Sequence, residues 1–187
     1  QSPSDMEQAI EMGLDAVKFF PAVPSGGLSM IKALAAPYHT MRFMPTGGVT
    51  PQNLTEFLDY PKILACGGTW MVKPELLATG NFEEITRLTR QTVRTMLDLK
   101  IDELTLPFPH TGNNLSDALH GLINLSSGST KELTISCRYL KRTIYHLEKN
   151  GATFRYDNAK YDSTGNMYTI DFSDAPEDFS IHLLEKR

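Results

Sequence analysis

Three Gly-Gly pairs recur at a near-constant interval in the first half of the chain: Gly26-Gly27, Gly47-Gly48 and Gly67-Gly68. Each interval is about the length of one strand plus one helix, so the pairs indicate an internal repeat. Residues 42–45 and 63–66 predict short buried strands, while 28–36 and 52–60 predict helices. The glycine pairs therefore follow strands. In parallel α/β folds that edge of the sheet carries the ligand, and backbone N–H groups in glycine turns can bind a phosphate.

A lysine, Lys18, lies inside an otherwise apolar and strand-like segment. In a strand it shares one face with Ala16 and Phe20. Val17 and Phe19 share the opposite face, so both faces are apolar and are predicted to be covered. Burial lowers the pKa of a lysine and frees its amine as a nucleophile. The alternative is a lysine whose stem lies on apolar surface while its ammonium reaches water. We interpret Lys18 as reactive because of the apolar alternation around it.

The sequence around these features resembles the C-terminal half of the 2-keto-3-deoxy-6-phosphogluconate (KDPG) and 4-hydroxy-2-oxoglutarate aldolase family. The resemblance is carried, in order, by KFFPA (18–22), SGG (25–27), RFMPTGG (42–48) and GGTWMV (67–72), and it extends from about Ser2 to Leu99. It implies an α/β fold, the C-terminal half of a (β/α)8 TIM barrel, in a class I aldolase that is commonly trimeric. Such enzymes are lyases that cleave KDPG into pyruvate and glyceraldehyde 3-phosphate through a Schiff base, and the resemblance implies no cofactor and no metal.

The resemblance also implies a role for individual residues. Lys18 would form the Schiff base with the keto carbon of the substrate, and Phe20 and Thr46 would line the pyruvate end. The phosphate would be held by Gly47, Gly48, Gly68 and Thr69. Thr69 stands where the family pattern has serine, and it keeps the hydroxyl donor while adding a methyl group.

The N-terminal part of such a barrel has no counterpart in the sequence. Residues 4–13 predict an amphipathic helix with Ser4 as its N-cap, Glu7 completing a capping box and Gly13 as its C-terminal stop. The resemblance makes this the fifth barrel helix, so the first five strands, with the general-base glutamate they carry, have no residues here. We expect an aldolase seen without its N-terminal half. Expressed alone, residues 1–187 are expected to be inactive and either aggregated or paired edge to edge with another copy.

Composition argues against several classes of partner. The chain has 18 Lys and Arg against 22 Asp and Glu, a net charge of −4, which gives no basic footprint for nucleic acid. No apolar run is long enough to span a membrane, and no signal peptide is visible. The two cysteines, Cys66 and Cys137, are expected to be reduced thiols. We expect a cytoplasmic protein, homo-oligomeric by resemblance, that binds a small phosphorylated keto acid.

A second domain is predicted to begin near Lys100. Residues 82–99 predict the last barrel helix, and a charged stretch with Pro107 and Pro109 follows it. We therefore assign residues 1–99 to the aldolase segment and residues 100–187 to a second domain. Beyond this boundary the predicted elements are a strand, a helix and three strands, at residues 133–138, 140–149, 153–156, 167–172 and 179–184.

This βαβββ order resembles one module of the vicinal oxygen chelate (glyoxalase-like) superfamily, a small α+β domain. His110 and His182 lie where such modules can carry metal ligands, but those metal sites need ligands from two paired modules. A single histidine on a strand is more often packed or solvated than bound to a metal, so no metal is predicted. We interpret the domain as an accessory unit for subunit contacts or metabolite binding. A metal-dependent glyoxalase or dioxygenase activity is the alternative.

Overall fold

The computed structural model describes residues 2–106, 124–127 and 130–186. The chain divides into two compact units, Gln1–Met96 and Leu97–Arg187. In the described residues the first unit is built from parallel strands and helices, and the second from one mixed sheet with a helix. All of the motifs that carry the aldolase resemblance lie in the first unit.

Helix α1 (Pro3–Glu11) begins with a capping box centred on Ser2. The Asp5 N–H donates to Ser2 Oγ at 3.4 Å, and the Ser2 N–H donates to the Asp5 carboxylate at 2.8 Å. The prediction of Ser4 and Glu7 as the capping pair was therefore wrong by two residues. The reason is Pro3, whose fixed φ and missing N–H suit the first helical position and so place the cap directly before it.

Gly13 stops helix α1, as its position in the sequence predicts. It has a φ of +74°, in the left-handed region that favours glycine. The Gly13 N–H donates to the Ile10 carbonyl and the Leu14 N–H donates to the Ala9 carbonyl, both at 2.9 Å. These two bonds satisfy carbonyls of the last turn and turn the chain toward the first strand.

Two parallel strands form the sheet of the first unit, β1 (Ala16–Phe19) and β2 (Arg42–Pro45), with Lys18 opposite Met44. The bounds of β2 are those predicted. Helix α2 (Gly27–Ala35) connects the two strands and packs against β2. The helices that follow β2 are α3 (Leu54–Leu58), α4 (Pro74–Ala78) and α5 (Phe82–Leu97). Helix α3 is shorter than the helix predicted at 52–60, and helix α4 was not predicted.

The third predicted strand, at 63–66, is not formed as a ladder. Two isolated parallel bridges form instead, one between Phe43 of β2 and Ile63 and one between Thr46, directly after β2, and Gly67. The N–H of Phe43 donates to the Lys62 carbonyl at 2.8 Å, but the next donor along that edge of β2 falls on Pro45, which has no N–H. The proline therefore removes a ladder bond, and the segment runs beside β2 as extended chain.

The core of the first unit fixes the ends of both strands. Phe19 at the end of β1 and Phe43 in β2 are fully buried, as are Ile31 of helix α2 and Met41 directly before β2. Burying an aliphatic or aromatic side chain of this size contributes roughly 1.5–3 kcal/mol to stability. The loops that follow β1 and β2 therefore start from well-anchored positions.

The second unit contains a mixed sheet of six strands within the described residues, in the order β4-β3-β5-β8-β7-β6. The strands are β3 (Lys100–Leu106), β4 (Asn124–Ser127), β5 (Lys131–Cys137), β6 (Phe154–Tyr161), β7 (Met167–Phe172) and β8 (Phe179–Glu185), and helix α6 (Leu140–Glu148) follows β5. The elements from β5 to β8 have the predicted βαβββ order. The glyoxalase-like assignment of this unit stays a prediction.

Strand β3 was not predicted. It lies inside the sheet, parallel to β4 on one side and antiparallel to β5 on the other. Its register shifts between Ile101 and Glu103, and such a bulge breaks the alternation of apolar and polar residues by which a strand is recognised. A charged stretch that resembles a linker in the sequence is therefore an interior strand.

Helix α6 packs on the sheet against β7 and β8. The core between the helix and the sheet consists of Cys137, Leu140, Ile144, Ile170 and Leu183. Burial raises the pKa of the Cys137 thiol to about 11, so this cysteine behaves as a small apolar side chain. Cys66 and Cys137 form no disulfide with each other.

Candidate active site

The loops that follow β1 and β2 are joined by backbone hydrogen bonds. The Thr46 N–H donates to the Phe19 carbonyl at 2.9 Å, and the Ala22 N–H donates to the Thr46 carbonyl at 2.8 Å. A third bond, at 3.0 Å, runs from the Val23 N–H to the Gly47 carbonyl. The two residues predicted for the pyruvate end of the site, Phe20 and Thr46, therefore lie on adjacent loops.

Lys18 lies on the face of β1 opposite to Phe19. Phe19 is 1% exposed, whereas Lys18 is exposed and Phe20 is 56% exposed. The prediction that both faces of β1 are covered was therefore wrong for the part of the chain that the structure describes. Alternation identifies the two faces of a strand, but it does not say which other segment covers each face.

The amine of Lys18 contacts the ring of Phe20. Lys18 Nζ lies 5.2 Å from the ring centroid, within the range of a cation–π contact. Within the described residues no carboxylate forms an ion pair with Lys18. An amine that is not engaged by a carboxylate is free to approach a carbonyl carbon, and the neighbouring ring offers an apolar surface to the substrate.

Thr46 carries a hydroxyl with no partner. Its Oγ1 atom is buried and makes no hydrogen bond within the described part of the chain. Buried polar atoms in native proteins are nearly always hydrogen-bonded, so an exception requires an explanation. A ligand that accepts or donates a hydrogen bond at this position would supply the missing partner.

Gly47 and Gly48 form a turn that a side chain would block. Their φ angles are +92° and +78°. A Cβ atom on Gly47 would lie 3.1 Å from the Phe20 ring, and one on Gly48 would lie 2.6 Å from Cβ of Val23. Among the described residues neither backbone N–H donates a hydrogen bond, so both donors are available to an anion. The amide of Asn53, which the sequence did not single out, donates to the Gly48 carbonyl at 3.1 Å.

Gly67 and Gly68 do not have a positive φ, so backbone conformation does not require glycine at these two positions. Close packing does. A Cβ atom on Gly67 would lie 2.6 Å from Thr46 Oγ1, and one on Gly68 would lie 1.5 Å from the indole of Trp70. Thr69 is exposed. The third glycine pair thus allows close packing against two side chains rather than an unusual turn.

Contacts connect most of the predicted site residues. Lys18, Phe20 and Gly47 are joined through the Phe20 ring, and Thr46 connects β1 to Gly67. The structure gives no direct contact between Thr69 and the Lys18 group. An amine, an unpartnered hydroxyl and unbonded backbone N–H groups together suit a substrate that has a carbonyl group and negative charge.

In the second unit, His182 forms a cross-strand pair with Asp171. His182 Nδ1 lies 2.7 Å from Asp171 Oδ1, and the amide of Asn158 donates to the same carboxylate at 3.1 Å. Burial alone would raise the pKa of Asp171, but the hydrogen bonds from His182 and Asn158 bring it below its usual range. His110 lies outside the described residues. Among those described, no group of three His, Cys, Asp or Glu side chains could hold a metal ion.

The known proteins that resemble this chain match it in the first unit. Residues 1–88 match the KDPG and KHG aldolase family. The 2-dehydro-3-deoxy-phosphogluconate aldolase of Treponema pallidum is 47% identical over 93 residues, which cover 50% of this chain and 44% of that protein. The enzyme of the same name from Haemophilus influenzae is 49% identical over 92 residues, covering 49% of this chain and 43% of that protein. The chain therefore spans less than half the length of the curated relatives it matches.

Among solved structures, a KDPG aldolase from Legionella pneumophila holds pyruvate as a covalent carbinolamine intermediate. It is 35% identical in sequence, with a TM-score of 0.47 over 49% of this chain and 44% of that one. No helix in the described residues has the length and apolar content needed to cross a membrane.

Proposed function

We propose that the first unit carries the Schiff-base lysine of a class I aldolase that cleaves KDPG into pyruvate and glyceraldehyde 3-phosphate. The observation that carries the proposal is the exposed amine of Lys18 beside Phe20, at the end of β1, in the segment that matches the aldolase family. Two relatives that are 47% and 49% identical over this segment are named as aldolases of this substrate.

In the proposed reaction, the neutral amine of Lys18 attacks the C2 carbonyl carbon of the substrate, and loss of water from the carbinolamine gives an iminium ion. Loss of the proton from the C4 hydroxyl then lets the C3–C4 bond break: its electron pair becomes the C2–C3 double bond of an enamine, the electron pair of the C=N double bond moves to nitrogen, and glyceraldehyde 3-phosphate is released. Protonation of the remaining enamine at C3, followed by hydrolysis, releases pyruvate and the free lysine. We assign the proton transfers to no described residue, because none of them carries a carboxylate in contact with Lys18.

The substrate is proposed to lie across the joined loops. Thr46 Oγ1 would hydrogen-bond the pyruvate end, and the Phe20 ring would pack against it, which explains the unpartnered buried hydroxyl. The phosphate would accept hydrogen bonds from the N–H groups of Gly47, Gly48, Gly68 and Thr69 and from the Thr69 hydroxyl. Hydrogen bonds to a charged acceptor are the stronger kind, so this end supplies much of the binding.

The test of the lysine is covalent trapping. The complete polypeptide is incubated with pyruvate and borohydride, and one reduced pyruvyl group is expected on Lys18 by peptide mass. Lys18→Ala must abolish this adduct. Lys32→Ala is the matched control, because Lys32 also lies over a ring, 5.7 Å from the centroid of Tyr60, and its loss must leave the adduct intact. Trapping that persists in Lys18→Ala would refute the assignment.

The test of the phosphate end is Thr69→Ala. Loss of a hydroxyl donor to a charged acceptor costs about 1.5–3 kcal/mol. The variant is expected to lose cleavage of KDPG much more than cleavage of unphosphorylated 4-hydroxy-2-oxoglutarate. Equal losses on the two substrates would mean that Thr69 does not contact the phosphate.

For the assembly, we propose a cytoplasmic trimer with the second unit as a glyoxalase-like accessory module. The family resemblance supports the trimer, and the βαβββ order from β5 to β8 supports the module. Light scattering of the complete polypeptide should give three times the mass of one chain. Metal analysis should find no stoichiometric divalent ion, whereas one ion per chain that is lost in His182→Ala would assign the module a catalytic role.

A further inference from the structure

Trp70 occupies the space next to Gly68. A Cβ atom on Gly68 would lie 1.5 Å from Cζ3 and 2.1 Å from Cε3 of the indole, so the ring lies flush against the glycine backbone. No residue with a side chain fits at position 68 while the ring is there. The indole therefore fixes where the backbone of this loop can run.

The other end of the indole is bonded to helix α5. Trp70 Nε1 donates to Thr92 Oγ1 at 3.2 Å, and the Thr92 hydroxyl in turn donates to the Leu88 carbonyl at 2.9 Å. The Thr92 oxygen thus accepts a hydrogen bond from the indole, while its O–H donates one to the helix backbone. Both Trp70 and Thr92 are half-buried, so water competes little for these bonds.

The loop has few other restraints. From Gly68 to Val72, the described residues make one further backbone hydrogen bond, from the Val72 N–H to the Thr69 carbonyl, and it is local. The N–H groups of Gly68 and Thr69 donate to no group within the described chain. Two unbonded donors therefore depend for their position on one indole.

We propose that Trp70 is a positioning residue, which through Gly68 and Thr92 holds the N–H groups of Gly68 and Thr69 in place to bind the phosphoryl group of the substrate. The inference rests on the proposed function and adds to it a residue that touches neither the lysine nor the phosphate. It also explains why a tryptophan directly follows the candidate phosphate-binding residues.

The first test uses the fluorescence of Trp70, the only tryptophan in residues 1–187, in the complete polypeptide with any tryptophan outside these residues replaced by phenylalanine. Titration with inorganic phosphate is expected to change its emission saturably. In Thr92→Val, which keeps the shape but loses the hydroxyl, the phosphate affinity should fall about fivefold, the effect of one lost hydrogen bond. Thr89→Val is the matched control, because Thr89 also donates to the carbonyl four residues before it, at 2.8 Å, but is exposed and makes no hydrogen bond to Trp70. The absence of a saturable phosphate response in the unmodified chain, or equal effects of both variants, overturns the inference.

The second test separates positioning from general stability. In the complete polypeptide, Thr92→Val should raise KM for KDPG about fivefold with little change in kcat, and leave the kinetics on 4-hydroxy-2-oxoglutarate unchanged. Thr92→Ser, which restores the hydroxyl, should restore KM. Equal losses on both substrates, or no rescue by serine, overturn the inference. Failure of the proposed function is distinguishable, because it appears as absent borohydride trapping at Lys18, whereas the fluorescence titration does not depend on that lysine.

Discussion

The hydroxyl of Thr46 lies against the backbone of Gly67, so close that a Cβ atom at position 67 would be 2.6 Å from Thr46 Oγ1. This contact joins the end of β2 to the extended segment beside it. It also encloses the one buried hydroxyl of the candidate site that has no partner within the described residues.

Gly67→Ala is therefore expected to destabilise the first unit by about 1–3 kcal/mol, the usual cost of overpacking. Thr46→Ala alone should change stability little, because it removes a hydroxyl that has no hydrogen bond to lose. In the double variant the clash is relieved, so the loss should be clearly smaller than in Gly67→Ala. Urea unfolding followed by Trp70 fluorescence measures all three. Strict additivity of the two substitutions would contradict the contact.

Gly48→Ala and Gly13→Ala separate two effects of a side chain at a glycine. Both glycines have similar φ angles, +78° and +74°, but a Cβ atom on Gly48 would lie 2.6 Å from Val23 whereas one on Gly13 meets nothing within 4 Å. Gly13→Ala should cost about 1–2 kcal/mol for the left-handed backbone alone. Gly48→Ala should cost more by about 1–3 kcal/mol, because the clash is added. Equal shifts of the urea midpoint would rule out the steric contribution at Gly48.

The Asp171–His182 pair predicts a loss of stability at acid pH. Because the pKa of Asp171 is lowered in the folded state, its contribution is complete above the usual aspartate pKa of about 4. It is lost as the pH falls through the lowered folded-state value. Asp171→Asn should therefore lower stability at pH 7 and flatten its decline between about pH 4 and pH 2, measured by circular dichroism in urea. The exposed Asp174 serves as the control, and Asp174→Asn should change stability at pH 7 little, because this side chain makes no ion pair within the described residues.

The start of helix α1 can be tested with two neighbouring serines. Ser2→Ala removes the cap that accepts from Asp5 and should cost about 1 kcal/mol. Ser4→Ala lies inside the helix and should be neutral or stabilising by about 0.5 kcal/mol, because alanine is the better helix former. If Ser4→Ala is instead the more damaging of the two, the cap lies where the sequence first predicted it.

Local patterns predicted the parts of this fold that depend on local chemistry. The strand at 42–45 and the stop at Gly13 follow from an apolar run and from glycine's backbone freedom, and both were correct. The third strand failed because Pro45 removes a donor from the neighbouring strand, an effect that lies outside the segment itself. Strand β3 was missed because its bulge disrupts the alternation around Ile101.

In the candidate site, too, local patterns predicted some features and could not predict others. Lys18 and the glycine pairs could be found from residue type and spacing, whereas the exposure of Lys18 depends on what covers the strand. The role of Trp70 depends on a contact with Thr92, 22 residues further along the chain, and that of Asn53 depends on a turn that brings it back to Gly48. A single sequence does not show which side chains come into contact in the fold, so these contacts could be identified only from the structure.

The position of β8 in the second sheet has a consequence for synthesis of the chain. β8 follows all the other described strands along the chain, yet it lies between β5 and β7 and buries Leu183 completely. During translation, more than 40 residues are added after β5 before its parallel neighbour β8 is synthesised. The strands of this sheet therefore cannot pair one after another in the order of their synthesis. The second unit should become resistant to protease only after Glu185 has left the exit tunnel, whereas the neighbouring strands β1 and β2 of the first unit can pair much earlier.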